Sequence, residues 1–428
     1  MLNKRIGRRL LAAALALALC VATVFAAELQ AQSAEEAGQN QESGEAGEET
    51  PEETYIPDPA GTVSYENLER RMRENNLSLL ALEESILAIE AIDYDEMADD
   101  YRQALNEIAN AQWGMITGSV IPGLGSMLAS SLDAQYDALR EAFDDIKDGN
   151  LQQDNADLIW QLENTQNQLV VAGEALYIAL ASLEINEQTL DRSLDALDRG
   201  IQEAELRYQL GQISALTLEQ TRANRTALIS SQQTLNMNKE NLEIQLKQMI
   251  GAELSSQMEL TALPQVTDEQ LEAMDLEADL AAAKEASYSL YDAKLTLDDA
   301  KETFDDAPRN QKSYEYQVAL HQWQGAQYTY NAAVQSFETS FRTLYNQVKD
   351  CKQVLDAART ALSVEESSCE VDQLKYEQGS ISYNTLLTAQ DDVAAAREAV
   401  DTAAINLFSA YNTYRWAVEY GILNVSAS

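Results

Sequence analysis

Apolar residues recur at every seventh position along much of the chain. Leu386, Val393, Val400, Leu407 and Tyr414 make one such run, and Leu228, Leu235, Leu242 and Met249 make another. A strict seven-residue period predicts α-helices that supercoil left-handedly, with knobs packed into holes. No Pro interrupts residues 154–209 or 214–250. As single helices these segments would measure roughly 80 and 55 Å, at about 1.5 Å per residue. Helices of that length need partners along their whole course, so the pattern predicts coiled coils. The stretch from Tyr65 to Ile92 also reads as helix, with an interruption at Asn75-Asn76.

The chain then repeats itself. LRYQLGQIS starts at Leu206 and LKYEQGSIS at Leu374, 168 positions later, which is 24 heptads and so preserves coiled-coil phase. At the same shift Leu176-Tyr177 falls on Leu344-Tyr345, and Thr217-Leu218 on Thr385-Leu386. Each copy reads as a long helix, a tight turn and a long helix back. Gly211 and Gly379 supply the turns, because Gly tolerates the positive φ at which a helix ends. Tyr208 and Tyr376 lie one helical turn before each tip. The predicted fold is all-α: long antiparallel coiled-coil hairpins in two tandem repeats, with little or no β. The expected divisions are 1–27 a signal peptide, 28–61 an acidic disordered linker, 62–253 the first repeat, 254–265 a linker, 266–423 the second repeat and 424–428 a tail. The copies differ in one respect. Where copy two has Val393, Val400 and Leu407, copy one has Arg225, Gln232 and Lys239; where copy one has Leu228, Leu235, Leu242 and Met249, copy two has Ala396, Ala403, Ala410 and Ala417. Large residues have changed stripes, which implies that the two hairpins pack side by side in different roles.

Composition narrows the function. Among 428 residues the formal net charge is -42. Such a surface repels nucleic-acid phosphates and anionic lipid; it reads either as a solvated exterior or as an acidic lumen admitting cations. Lys4, Arg5, Arg8 and Arg9 precede an uncharged Leu/Ala run, and Val24, Ala26 and Ala27 suit signal peptidase, so export is expected. Cys351 and Cys369 sit on one predicted helix, about 27 Å apart, too far to bond within it. The single His321 has no ligand partners at useful spacing, so neither a metal site nor a cofactor is expected. No nucleophile stands beside a base, which argues against an enzyme.

The doubled motif, RYQLGQISALTLEQ and KYEQGSISYNTLLTAQ, resembles that of the TolC-type outer-membrane efflux protein family: an aromatic, two residues, Gly, a small polar stretch and Leu. The segment ENNLSLLALEESI resembles the family's opening helix, and Ala175-Leu176-Tyr177 its A-Y before the descending helix. The resemblance covers about residues 62–423. It implies a homotrimer whose hairpins enclose a tunnel at the outer membrane. It also implies tips that meet a membrane fusion adaptor, and an inner-membrane pump driven by ATP or protons. Tyr208, Gly211, Ile213, Thr217, Tyr376, Gly379, Ile381 and Thr385 would then form the gate and docking tip. Two departures stand out. Family members carry Asp six or nine residues after the turn Gly. Here those positions are Thr217, Thr385, Gln220 and Thr388, so no acidic ring forms there and no Arg–Asp latch is visible. Members also insert two β-strands per copy, and neither place shows any. In copy two FDDAPRNQKSYEYQVALHQW reads as a turn at Pro308 between helices. In copy one, Ile108–Leu132 carries no charge in 25 residues. It reads either as two short buried helices or as a membrane-contacting hairpin at the tube's far end through Ile116, Val120, Ile121, Leu124 and Leu128. Two functions therefore stand: an efflux or secretion conduit of the cell envelope, or an exported coiled-coil scaffold without a pore.

Overall fold

Four long helices dominate the computed structural model, which describes residues 58–59, 61–118, 127, 129–256 and 258–423. The segments expected as signal peptide and tail, and nearly all of the expected acidic linker, lie outside the described residues. After a two-residue strand β1 (Thr62–Val63) come α1 (Leu68–Asn75), α2 (Leu77–Glu90), α3 (Tyr94–Gly118), a 3₁₀ turn, α4 (Asp133–Lys147), α5 (Asn150–Gln209) and α6 (Ala215–Met249). The second half runs β2 (Glu259–Leu260), α7 (Asp268–Glu272), α8 (Leu276–Ala286), α9 (Tyr288–Asp305), α10 (Tyr314–Glu377) and α11 (Tyr383–Tyr420). The described residues belong to one compact unit that begins at Pro57. The all-α expectation holds: the strands form only a short parallel bridge, Thr62 with Glu259 and Val63 with Leu260. Among the described residues neither place where strands were sought holds one: α3 and α4 flank the first, and a turn between α9 and α10 occupies the second.

The Asn-Asn interruption is a helix break with a defined job. Asn76 ends α1 and caps α2, its side chain accepting from Ser78 N and Leu79 N at 2.9 and 3.2 Å. The same amide donates to Met249 O at 2.9 Å and so ties the break to the end of α6. Asp58, in the expected linker, accepts from Ser64 Oγ and Asn67 Nδ2 at 2.6 and 2.7 Å and pairs with Arg71, so it is tied to the start of α1.

The long helices pack as two hairpins, α5 with α6 and α10 with α11, and α5 also lies against α11. The stripe exchange seen in the sequence has a structural reason. In hairpin two, Leu386, Leu407 and Tyr414 of α11 are buried, and Leu407 and Tyr414 share a core with Phe337, Phe341, Leu344 and Val348 of α10. In hairpin one the positions equivalent to Val393, Val400 and Leu407 make a polar ladder instead. Arg225 pairs with Asp198 at 2.5 Å, Gln232 donates to Asp191 at 2.5 Å, and Lys239 pairs with Glu187 and Glu184 at 2.8 and 3.7 Å. Each step of seven up α6 meets a step of about seven down α5, as an antiparallel coil requires.

One buried knot joins the two repeats. Glu174 of α5 is 2% exposed, and its carboxylate accepts from Asn412 Nδ2 at 2.7 Å and Trp416 Nε1 at 2.6 Å, with the Arg415 guanidinium at 3.4 Å. Burial pushes its pKa up, against the pull of these donors. Nearby, the buried Tyr177 hydroxyl lies 3.0 and 2.7 Å from the carbonyls of Val63 and Thr261, pinning α5 to the strand bridge.

Candidate functional site

The two hairpin tips are built alike, atom for atom. At tip one Gly211 has φ 70°; its N–H donates to Tyr208 O at 2.9 Å and Gln212 N–H donates to Arg207 O at 2.8 Å. At tip two Gly379 has φ 71°; its N–H donates to Tyr376 O at 2.8 Å and Ser380 N–H to Lys375 O at 2.8 Å. This paired bonding satisfies the last helical carbonyls and needs a left-handed residue at Gly. Two residues on, Ser214 and Ser382 restart the chain as helix. Each hydroxyl accepts from the N–H of Thr217 or Thr385 at 3.1 Å and lies 2.9 Å from that Thr's own hydroxyl. The recurring motif is therefore a stop, a reversal and a cap. Thr217 and Thr385 serve the cap.

The other tip residues divide. Leu218 and Leu386 are buried where the helices diverge from the turn, and Ile213 and Ile381 are half-buried. Tyr208 and Tyr376 are 45% and 38% exposed, and Tyr376 packs against Tyr383 with ring centroids 5.7 Å apart. A Cβ built on Gly211 or Gly379 meets nothing within 4 Å, so the space over each tip is open. Of the residues expected to touch a membrane, Ile116 is exposed on α3; Val120, Ile121, Leu124 and Leu128 lie outside the described residues. Of Ile108–Leu132, read either as buried helices or as a membrane-contacting hairpin, the described first part is helix with an open end: α3 continues to Gly118, and Trp113 through Gly118 are all exposed.

Two features near the tips escaped the sequence. An open cleft of about 460 Å³ beside tip two is lined by Glu203, Asp372 and Asp392 with Ser382, Thr385 and Thr388. The acidic groups come from positions other than the sixth and ninth after the Gly. The second feature lies farther back along the hairpins, where α5 meets α11, and is not a latch across the tip. On α5, Arg192 takes Glu398 of α11 in a two-pronged pair at 2.9 and 2.7 Å, and Thr189 Oγ1 donates to the same carboxylate at 2.9 Å. The Arg192 hydrogen bonds hold the Glu398 carboxyl below its ordinary pKa. Seven residues nearer the tips, Arg199 pairs with Asp391. Arg199 and Asp391 each stand twelve residues from their Gly, about 18 Å along the helix. A signal was present in the sequence. At the 168-residue shift these four positions are Thr360, Ser367, Ser230 and Ala223, all uncharged. At these positions opposite charges occur where α5 meets α11 and not at their counterparts on α10 and α6.

The register of α5 on α11 extends over the whole contact. Glu174 meets Trp416, Arg192 meets Glu398 and Arg199 meets Asp391, each step along one helix matched by an equal step back along the other. The outer helices, α6 and α10, carry the equivalent stripes turned to solvent. On α6 these are Leu216, Ala223, Ser230, Met237 and Ile244; on α10, Leu374, Ser367, Thr360, Gln353 and Asn346. All ten are exposed and none is charged.

Compared with known proteins, the chain matches no family model and no curated protein. Among solved structures it is similar to the CmeC outer membrane channel of Campylobacter jejuni, at 15% identity and a TM-score of 0.42 over 68% of this chain and 69% of that one. It is also similar to the outer membrane protein VceC of Vibrio cholerae, at 12% identity and 0.46 over 84% and 96%. A third is the MtrE outer membrane channel of Neisseria gonorrhoeae, at 14% identity and 0.37 over 84% and 88%. Scores below 0.5 are too low to carry the architecture or the role of those channels over to this chain.

Proposed function

We propose that the chain is the channel-forming part of an efflux or secretion conduit in the cell envelope, in which several copies, three by the family resemblance, stand side by side around a tunnel. The observation that carries this is the pair of uncharged stripes on α6 and α10. Applying the α5–α11 register to them sets Leu216 of one copy against Leu374 of the next, Ala223 against Ser367 and Ser230 against Thr360. A row of helices ordered α6, α5, α11, α10 then continues from copy to copy with one spacing, and such a row can close into a tube. The matching tips would lie at one end, where the open space over Gly211 and Gly379 suits a docking hairpin from an adaptor that connects to an inner-membrane pump.

The test is disulfide trapping. With Cys351 and Cys369 replaced by Ser, Leu216→Cys together with Leu374→Cys should give a ladder of chain-to-chain bridges ending at a closed ring, because the two residues sit on opposite edges of one chain. A chain that stays monomeric by light scattering and forms no bridges under oxidation would sink the tube. A scaffold without a pore remains the second reading, favoured by the short strand bridge being the only β structure among the described residues. It predicts that bulky residues at Gly211 and Gly379 leave activity in the cell untouched, whereas a conduit loses export.

A further inference from the structure

The hairpin of α3 and α4 ends in apolar surface that the rest of the chain leaves bare. Gln112 Nε2 ties the two helices together near that end, donating to Asp133 Oδ1 at 2.9 Å and to Ala129 O at 3.5 Å. Past it, every residue from Trp113 to Gly118 is exposed. Trp113 is 68% exposed, Met115 38% and Ile116 48%, and Met127, before α4, is 73% exposed. Successive residues turn about 100° around a helix, so Trp113, Met115 and Ile116 point in three directions around the axis. Charge stops at the same place. Glu107 on α3 and Asp133 on α4 bound 25 residues with none, in a chain that is 23% charged.

A groove on a partner protein covers one face of a helix, whereas a bilayer surrounds it. We propose that this end of the α3–α4 hairpin enters the surface of a lipid bilayer whose headgroups carry no net charge. A net charge of -42 disfavours anionic lipid. From Glu107 to Gly118 α3 rises about 16 Å, roughly half of a hydrocarbon core of ~30 Å, so this stretch of helix fits within one leaflet. Trp113 falls about 9 Å past Glu107, at the depth where an indole keeps its N–H in the headgroups and its ring in the acyl chains. Insertion of this kind differs from a spanning helix. Among the described residues α5 alone is long and apolar enough to cross a membrane, and part of its apolar stretch packs inside the fold, where Val170, Val171, Tyr177 and Leu180 are buried. The proposal stands independently of adaptor docking.

The test is flotation of residues 28–428, which keep every contact described above and lack the apolar leader that would itself bind lipid. Phosphatidylcholine vesicles should carry the protein to the top of a gradient. Trp113→Glu with Ile116→Glu should reduce the floated fraction at least tenfold while leaving the thermal melt nearly unchanged, since both side chains are exposed and belong to no core cluster. Trp113→Phe should float like the parent, and so should Val364→Glu with Val371→Glu, which add the same charge at exposed apolar positions on α10. A parent chain that stays at the bottom overturns the proposal, as does a Trp113→Glu/Ile116→Glu chain that still floats. If the parent fails to float but self-associates until Trp113 and Ile116 are changed, the surface docks protein, and the lipid assignment is wrong.

Discussion

Glu174→Ala removes the acceptor at the joint between the repeats, and the structure sets the size of the effect. The carboxylate receives Asn412 Nδ2 at 2.7 Å and Trp416 Nε1 at 2.6 Å, and Asn412 and Trp416 are 7% and 1% exposed, so solvent does not replace the lost partner. A hydrogen bond to a charged group is worth about 1.5–3 kcal/mol, and a buried donor left unpaired costs about 1–3 kcal/mol. Relief from burying a charge works the other way, and its presence is visible in the raised pKa of Glu174. The balance is a loss of about 3–4 kcal/mol, within the range for breaking a buried ionic contact. Glu174→Gln keeps an oxygen for Trp416 and sheds the charge, so it should lie within about 1.5 kcal/mol of the parent.

The pH dependence separates these effects. A carboxyl whose folded pKa is raised holds its proton more tightly folded than unfolded, so its contribution is greatest at or below the ordinary value of 4.5 and falls as pH rises through the folded value. The parent should therefore lose stability relative to Glu174→Gln as pH rises from 5 upward. Urea midpoints followed by circular dichroism at pH 5, 6.5 and 8 measure this, starting above the pI of about 4.2 to keep the chain in solution. An Ala variant within about 1 kcal/mol of the parent would refute the accounting, as would a parent-to-Gln gap that moves in the parent's favour with rising pH.

The Arg192–Glu398 pair should show a coupling of about 1–1.5 kcal/mol in a double-mutant cycle to Ala, above the usual surface value because the contact is two-pronged and part-buried. Since the Glu398 pKa is lowered, that coupling is present above the ordinary glutamate value of 4.5 and lost as pH falls through the folded value; one unchanged by acid would refute it. Gly211→Ala and Gly379→Ala should each cost about 1–2 kcal/mol through positive φ alone, whereas Gly421→Ala should cost clearly more, because its Cβ would come within 2.4 Å of Ser287 Cα; equal melting shifts would contradict this. Replacing Arg225, Gln232 and Lys239 by Val, Val and Leu should lower the melting temperature, since Asp198, Asp191 and Glu187 would lose their partners; a higher melting temperature would show that the ladder does not set the register of hairpin one.

The helices and tips were legible because their determinants are local. A heptad run specifies a coil, Gly specifies a left-handed stop, and Ser three residues before Thr specifies a cap. The polar ladder was half legible. Arg225, Gln232 and Lys239 stood out as polar residues on an apolar stripe, but their partners on α5 depend on how the antiparallel helices slide, which no single position encodes. The clamp of Arg192 and Arg199 was hidden for the same reason, since those residues read as ordinary solvent charges until α11 is laid beside α5. Residues 108–118 were ambiguous in another way. An uncharged run suits either a core or a membrane contact, and only the packing shows that Trp113 through Gly118 are exposed.

The difference between the repeats extends to assembly. Inside one chain the α5–α11 contact carries Arg192–Glu398 and Arg199–Asp391, while the equivalent positions on the outward faces of α6 and α10 are Ala223, Ser230, Thr360 and Ser367. Opposite charges fix register where the partner is always present. Between copies that each carry -42, any further acidic group at the contact adds to the repulsion, so an uncharged stripe favours association. The two contacts should therefore respond to salt in opposite ways. The Debye length shrinks from about 30 Å at 0.01 M to about 10 Å at 0.1 M and 3 Å at 1 M. Screening weakens the clamp inside each chain and relieves the repulsion between chains. Light scattering on residues 28–428 should thus show larger assemblies as salt rises, while the Arg192–Glu398 coupling falls. Assemblies that come apart in salt would mean that charged pairs hold the copies together, and the stripes on α6 and α10 would then not be the contact.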